Sequence, residues 1–160
     1  MPRKRLALVV AVLVGVSVAV GAGRAGADGH ARPQKRGAES LRFAIRFSPF
    51  FVLDLGPHGF SKGDQLVDND VLLNRRGNPV GHDGLACTIT DPSLPEAACQ
   101  GSFVLPGGQI TVQFLNGPPA VKIGAITGGT GRFRTARGQM RLVEPGTGNV
   151  GTVTFSLARA

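Results

Sequence analysis

The stretch Ala125-Ile-Thr-Gly-Gly-Thr-Gly-Arg-Phe-Arg-Thr-Ala-Arg-Gly-Gln139 decides how this chain folds. Gly128, Gly129 and Gly131 fall within four positions, between the apolar run Val121 to Ile126 and the strand-like Gln139 to Val143, so the backbone must bend sharply there. Glycines after a strand also occur in phosphate-binding loops. This run, however, is not followed by the Gly-Lys-Ser/Thr of a P-loop, and no amphipathic helical pattern follows to offer N-terminal amides to an anion. The stretch is therefore a corner between two antiparallel strands. Arg132, Arg134 and Arg137 follow the bend. On a regular strand the first two share a face and Arg137 takes the other. That places them at the surface or a subunit rim, because an unpaired buried guanidinium is costly; Asp83, Asp91 and Glu144 are the acids available to pair with them.

Outward from this corner the chain alternates with a period of two. Leu41, Phe43, Ile45 and Phe47 interleave with Arg42, Ala44, Arg46 and Ser48, which marks a strand with an aromatic inward face. Phe50 to Leu55 continues apolar until Gly56-Pro57-His58-Gly59, where His58 reads as a solvated turn residue. Asn74 to Pro79 is a hairpin-type turn, and Leu85, Cys87 and Ile89 share one face of the strand that follows it. Gln100 to Leu105 turns through Pro106-Gly107-Gly108 into Gln109 to Leu115, a hairpin by every local signal. Val121 to Thr127, Gln139 to Val143 and Val150 to Ala158 complete the series. About eight strands with no helix between them predict an all-β fold, an eight-stranded antiparallel up-and-down barrel, since closure removes the exposed edges of a small sheet. A barrel of that size holds a filled core or one small ligand.

The 160 residues suit one domain, and 24 glycines and 11 prolines suit many short elements joined by turns. Part of the formal charge of +8 is local, because Arg3, Lys4, Arg5 and Arg24 are four of the 18 basic residues. Beyond residue 27, 14 basic groups face 10 acidic ones, with no basic stripe carrying interleaved aromatics, so no nucleic-acid partner is expected. The basic start Pro2 to Arg5, the apolar run Leu6 to Val20 and the small-x-small Ala25-Gly26-Ala27 read as an export signal over 1–27, cleaved after Ala27. Its fifteen apolar residues fall short of the roughly 20 that span a bilayer. The mature chain is thus expected to be secreted and extracellular, free of the membrane, with a polar leader over 28–40 and the barrel over 41–160.

Export sets the redox reading of Cys87 and Cys99, the only two cysteines: they flank the turn-rich Asp91 to Pro95 and are expected to form a disulfide. A metal site there fails for want of ligands, since only His82 lies nearby. Asp68, Asn69 and Asp70 are polar amid strand residues. Two carboxylates two positions apart project from one strand face, so Asp68 and Asp70 fit a paired acid site, a cation site or a wet bulge.

Gly128-Gly129-Thr130-Gly131-Arg132-Phe133-Arg134-Thr135-Ala136-Arg137-Gly138 resembles the Gly-Gly-Thr-Gly-x-Phe-x-x-Ala-Arg-Gly signature of dirigent proteins. Gly63-Asp64, Asn69 to Leu72, Gly81 to Cys87, Gly108 to Gln113 and Ala125 to Gly129 are similar to runs of allene oxide cyclases. Both groups belong to one calycin-like barrel superfamily, and the resemblance covers roughly residues 40 to 158. It implies a homotrimeric barrel without a cofactor, with an apolar cavity at one mouth that imposes a conformation on a small apolar or phenolic ligand and directs its cyclisation, isomerisation or stereoselective coupling. A non-catalytic secreted binding or cell-wall protein is the alternative. Asp70 aligns with a pocket-lining Asn of the cyclases and an acidic pocket position of dirigent proteins, which implies a proton-handling role for it, with Asp68 beside it. Cys87 aligns with a pocket cysteine of the cyclases, and the implied ligand-binding set is Phe43, Ile45, Cys87, Phe114 and Phe133. The cyclases' first-strand Glu-x-Asn has no counterpart in Leu41 to Phe47. The arginine that precedes the dirigent signature falls near Ala120, its acidic partner falls near Gln113, and no pocket tyrosine exists.

Overall fold

The computed structural model describes residues 39–158. The expected export signal over 1–27 and the leader up to residue 38 lie outside the described residues. Strand β1 (Glu39–Arg46) begins inside the expected leader, and it is followed by β2 (Phe51–Leu53), β3 (Gln65–Asp68), β4 (Val71–Leu73) and β5 (Pro79–Asp91). Next come β6 (Glu96–Leu105), β7 (Gly108–Asn116), β8 (Val121–Gly129), β9 (Gly138–Val143) and β10 (Val150–Leu157). Among the described residues no helix is long and apolar enough to cross a membrane.

Ten segments make eight barrel strands because two strands are interrupted. β1 pairs antiparallel with β4 and β2 with β3, so β1 and β2 lie end to end beside β4 and β3. β3 and β4 in turn run along β5 in one register, Asp68 opposite Leu85 and Val71 opposite His82. Every further neighbour is consecutive and antiparallel through to β10, which pairs back onto β1, and the barrel is closed. This is the all-β, eight-stranded, up-and-down barrel that the alternating sequence specifies.

Period-two patterning fills the interior. Ile45, Phe103, Ile110, Val112, Met140, Val153 and Phe155 are all at most 1% exposed, and Phe103 meets Phe155 edge to face at 5.0 Å between ring centroids. A register shift between Leu72 and Leu73 buries both leucines and breaks the alternation at the end of β4.

The Ala125 to Gln139 corner closes one end of the barrel. After β8 the chain makes a single 3-10 turn over Gly131–Phe133 before β9. Gly131 has φ +57°, and a Cβ there would come within 2.2 Å of the Gly107 carbonyl oxygen, so two loops meet backbone to backbone. Phe133, 3% exposed, turns inward and joins the core beside Leu105, Ile110 and Leu157. Because this segment is a turn and not a regular strand, the arginines do not divide between two strand faces. Arg132 pairs with Glu39 at 3.1 Å, an acid that the sequence reading passed over, and its guanidinium lies 4.7 Å from the Phe133 ring centroid. Arg137 donates to the Ala136 carbonyl at 2.7 Å.

Candidate functional site

The opposite end of the barrel is open. There a cavity of about 570 Å³ is walled by Phe47, Phe50, Leu66, Leu85, Phe114 and Leu142, and it also exposes Asp68, Asp70 and Glu144. The strand interruptions produce this arrangement. In an unbroken ladder the Asp70 amide would donate to the backbone carbonyl of Asp83. Instead it donates to Asp83 Oδ1 at 2.7 Å, while the Asp83 amide still donates to the Asp70 carbonyl at 3.0 Å. The displaced Asp83 carbonyl is taken by Asn69 Nδ2. A side-chain carboxylate has thus been inserted into the sheet, and across the gap between β1 and β2 the Ser48 amide donates to Asp70 Oδ1 at 2.7 Å.

Three carboxyl groups consequently converge, with one oxygen of each of Asp68, Asp70 and Asp83 within 4.8 Å of the others. Asp70 is 1% exposed and Asp83 fully buried; Asp83 Oδ2 and Asp68 Oδ1 are buried without a hydrogen-bond partner among the described residues. Among the described residues none of the three has a basic partner, since the ion pairs there are Asp54 with His58, Glu144 with Lys122 and Glu39 with Arg132. Burial pushes the Asp83 carboxyl up to about 7, with the charges of Asp70 and Asp68 adding to the rise. Burial and then the neighbouring Asp70 raise Asp68 to about 6. Asp70 is raised by burial too, partly offset by the Ser48 amide. Acids in this range exchange protons near neutral pH, as a general acid or base requires.

Asp64 is the contrast. It is equally buried, yet it accepts the amides of Ser61 at 2.6 Å, Leu55 at 2.9 Å and Gly56 at 3.3 Å, and these hold its carboxyl below the ordinary value, the Ser61 amide foremost. It pins the loop between β2 and β3.

Cys87 and Cys99 sit directly opposite each other on β5 and β6, with Cα atoms 4.0 Å apart, and form a disulfide. Cys87 also lines the cavity, so the bridge is part of its wall. Of the side chains expected to meet a ligand, Cys87 and Phe114 line the cavity, as do Asp68 and Asp70. Ile45 and Phe133 are buried in the core and Phe43 packs against it, none of them lining the cavity.

Two polar residues near the site were not placed there by the sequence reading, which offered Asp83 only as a partner for the arginines and did not single out Lys122. Asp83 precedes the Leu85, Cys87, Ile89 series, and carrying that alternation two residues back places it on the inward face. Lys122 precedes Gly124 and Ile126 in the same way; it is 4% exposed and held by Glu144 Oε2 at 3.1 Å and the Pro119 carbonyl at 2.5 Å. It ties the loop after β7 to the start of the loop after β9, beside the mouth.

An eight-stranded barrel with one closed end and one acidic, apolar mouth is the fold expected from the sequence resemblance to dirigent proteins and allene oxide cyclases. Solved structures with this fold include pyocyanin demethylase, 27% identical over 75% of this chain and 100% of that one, TM-score 0.66. The pterocarpan synthase dirigent protein GePTS1 is 19% identical, over 75% of this chain and 82% of that one, TM-score 0.58. The Diels-Alderase AbmU from Streptomyces koyangensis is 11% identical, over 76% of this chain and 64% of that one, TM-score 0.59. No protein-family model and no curated protein matches the chain.

Proposed function

We propose that this is an exported barrel that binds a small apolar or phenolic metabolite at its open mouth and directs that molecule's cyclisation, isomerisation or stereoselective coupling. The observation that carries the reading is the placement of Asp70 and Asp68, two carboxyls with raised proton affinity, on the wall of an otherwise apolar cavity. The cavity holds the ligand in a reactive conformation, and Asp70, oriented by the Ser48 amide, moves the proton, with Asp68 as its neighbour and Asp83 buried behind them, where it accepts the Asp70 amide. Dirigent proteins and Diels-Alderases among the similar structures support a role on small molecules. The outer faces of β5 to β8 support the expected homotrimer: Ala86, Thr88, Ala98, Gln100, Gln113 and Ala125 are exposed there, a run of small or uncharged side chains across four neighbouring strands.

Native mass spectrometry of protein taken from its own culture medium tests the proposal. It reports the subunit count, the mature amino terminus and any retained small molecule together. That molecule is then supplied to the wild type and to Asp70→Asn, and products are resolved by chiral chromatography. A rearranged or coupled product, reduced tenfold or more by the substitution, is the expected result. Retention of an unaltered molecule would assign the barrel to non-catalytic carriage, and turnover untouched by Asp70→Asn would remove that residue from the mechanism.

A further inference from the structure

The charge of the cavity narrows the ligand further than its shape does. Its wall carries the rings of Phe47, Phe50 and Phe114 together with Asp68, Asp70 and Glu144, and among the described residues no Lys, Arg or His lines it. The nearby Lys122 is already committed to Glu144 and to the Gly117 and Pro119 carbonyls. Asp70, almost wholly buried, has Oδ1 taken by the Ser48 amide, and on the same wall Asp68 Oδ1 is buried with no hydrogen-bond partner among the described residues. A carboxylate withdrawn from water without a partner is costly, and the cost is relieved by a positive charge or a strong donor brought in with the ligand. Ring faces beside carboxylates are also the surroundings that attract a delocalised organic cation, whereas an anionic ligand meets like charge and no counter-ion.

We infer that the cavity selects a flat, aromatic organic cation, its positive charge set against Asp70 and Asp68 and its rings against the phenylalanines. The inference rests on the cavity being the ligand site and deepens that reading by naming the ligand's charge. It also gives the acid pair a means of activation: a bound cation favours the ionised carboxylates, so the base is produced where and when the ligand is present.

Three probes with the same fused rings separate charge from shape. N-methylacridinium is a cation, acridine at pH 8 is neutral and acridine-9-carboxylate is an anion. Each is titrated into the full chain by fluorescence anisotropy. N-methylacridinium should bind at least tenfold more tightly than acridine, and the carboxylate most weakly. Asp70→Asn, and separately Asp68→Asn, should erase most of the preference for the cation while acridine binding stays within about twofold, which also shows that the variants are folded. Equal affinity for cation and neutral probe would overturn the charge selection and leave the cavity as the ligand site. If no probe binds, or if Phe114→Trp leaves binding unchanged, the cavity reading falls as well. Displacement of the cation by millimolar calcium chloride with no effect on acridine would assign the carboxylates to a metal ion instead, and would likewise overturn the inference.

Discussion

Raising the pH from 5 to 8 should destabilise this protein, and Asp83→Asn should remove most of the effect. The sign follows from the direction of the shifts. A carboxyl whose proton affinity is raised by folding contributes stability that is fully present below the unfolded value near 3.8 and is lost as pH rises through the folded value, about 7 for Asp83 and about 6 for Asp68. From pH 5 upward the transition spans about two pH units for Asp83 and about one for Asp68; at roughly 1.4 kcal/mol per unit these correspond to about 3 and about 1 kcal/mol. The two effects overlap, because the charge on Asp68 is part of what raises Asp83, so a loss of about 3 kcal/mol is expected, or roughly 10 °C in Tm for a domain of this size. Asp64 and Asp91, held below the ordinary value, stay ionised throughout this window and contribute nothing to the slope. Asparagine at position 83 keeps an oxygen for the Asp70 amide and carries no charge, so the variant should be the more stable protein at pH 8 and should retain only the loss of about 1 kcal/mol that Asp68 contributes between the two pH values. Urea unfolding followed by far-UV circular dichroism measures this directly, since the chain has no Trp or Tyr to report by fluorescence. A wild type more stable at pH 8 than at pH 5, or a variant with the wild-type slope, would show that the three carboxyls are not sequestered as described.

Two further outcomes concern the frame. Replacing both Cys87 and Cys99 by alanine should cost about 2 to 3 kcal/mol of unfolding free energy, since the bridge closes a loop of only 12 residues in sequence, and reduction of the wild type should reproduce the loss. Gly131→Ala should cost at least ~2 kcal/mol in the same urea assay, because the new Cβ meets the Gly107 carbonyl at a left-handed backbone position; a variant of unchanged stability would mean the two loops separate freely.

The frame was legible in the sequence because it rests on local signals. Alternation in β1, β5 and β7 specifies inward faces residue by residue, and the glycines between β8 and β9 specify the corner. The disulfide was legible from cysteine count and expected compartment. The site was legible only in part. Asp68 and Asp70 stood out as polar groups amid strand residues, but the third carboxyl of the cluster, Asp83, lies on a different strand, opposite Asp70 in register. A pairing between strands has no signature in either strand alone. Likewise Arg132 finds Glu39 across 93 residues of sequence, a partner that no local pattern supplies. Phe43, Ile45 and Phe133 share the apolar, inward character of the cavity wall, and only the three-dimensional position along the barrel axis distinguishes a core residue from a lining one.

That axis also separates two kinds of constraint on the chain. The run that carries the dirigent signature, Gly128 to Gly138, builds the closed end, where Phe133 seals the core and backbone meets backbone at Gly131 and Gly107. The carboxyls, the disulfide and the Lys122 to Glu144 tie lie toward the other end. Gly131 and Gly107 are constrained by close packing, since a change there disturbs the strands on both sides of the turn. The mouth is constrained by charge: Asp70 and Asp83 are tolerated in the interior because each takes part in the sheet's own hydrogen bonding, Asp83 by accepting the Asp70 amide and Asp70 by accepting the Ser48 amide. Removing either carboxyl therefore relieves a buried charge and alters the chemistry of the cavity with little effect on closure of the far end. It follows that the closed end identifies the barrel and not a reaction, and that the chemistry proposed for the chain rests on the few polar groups the sheet interruptions place at the mouth.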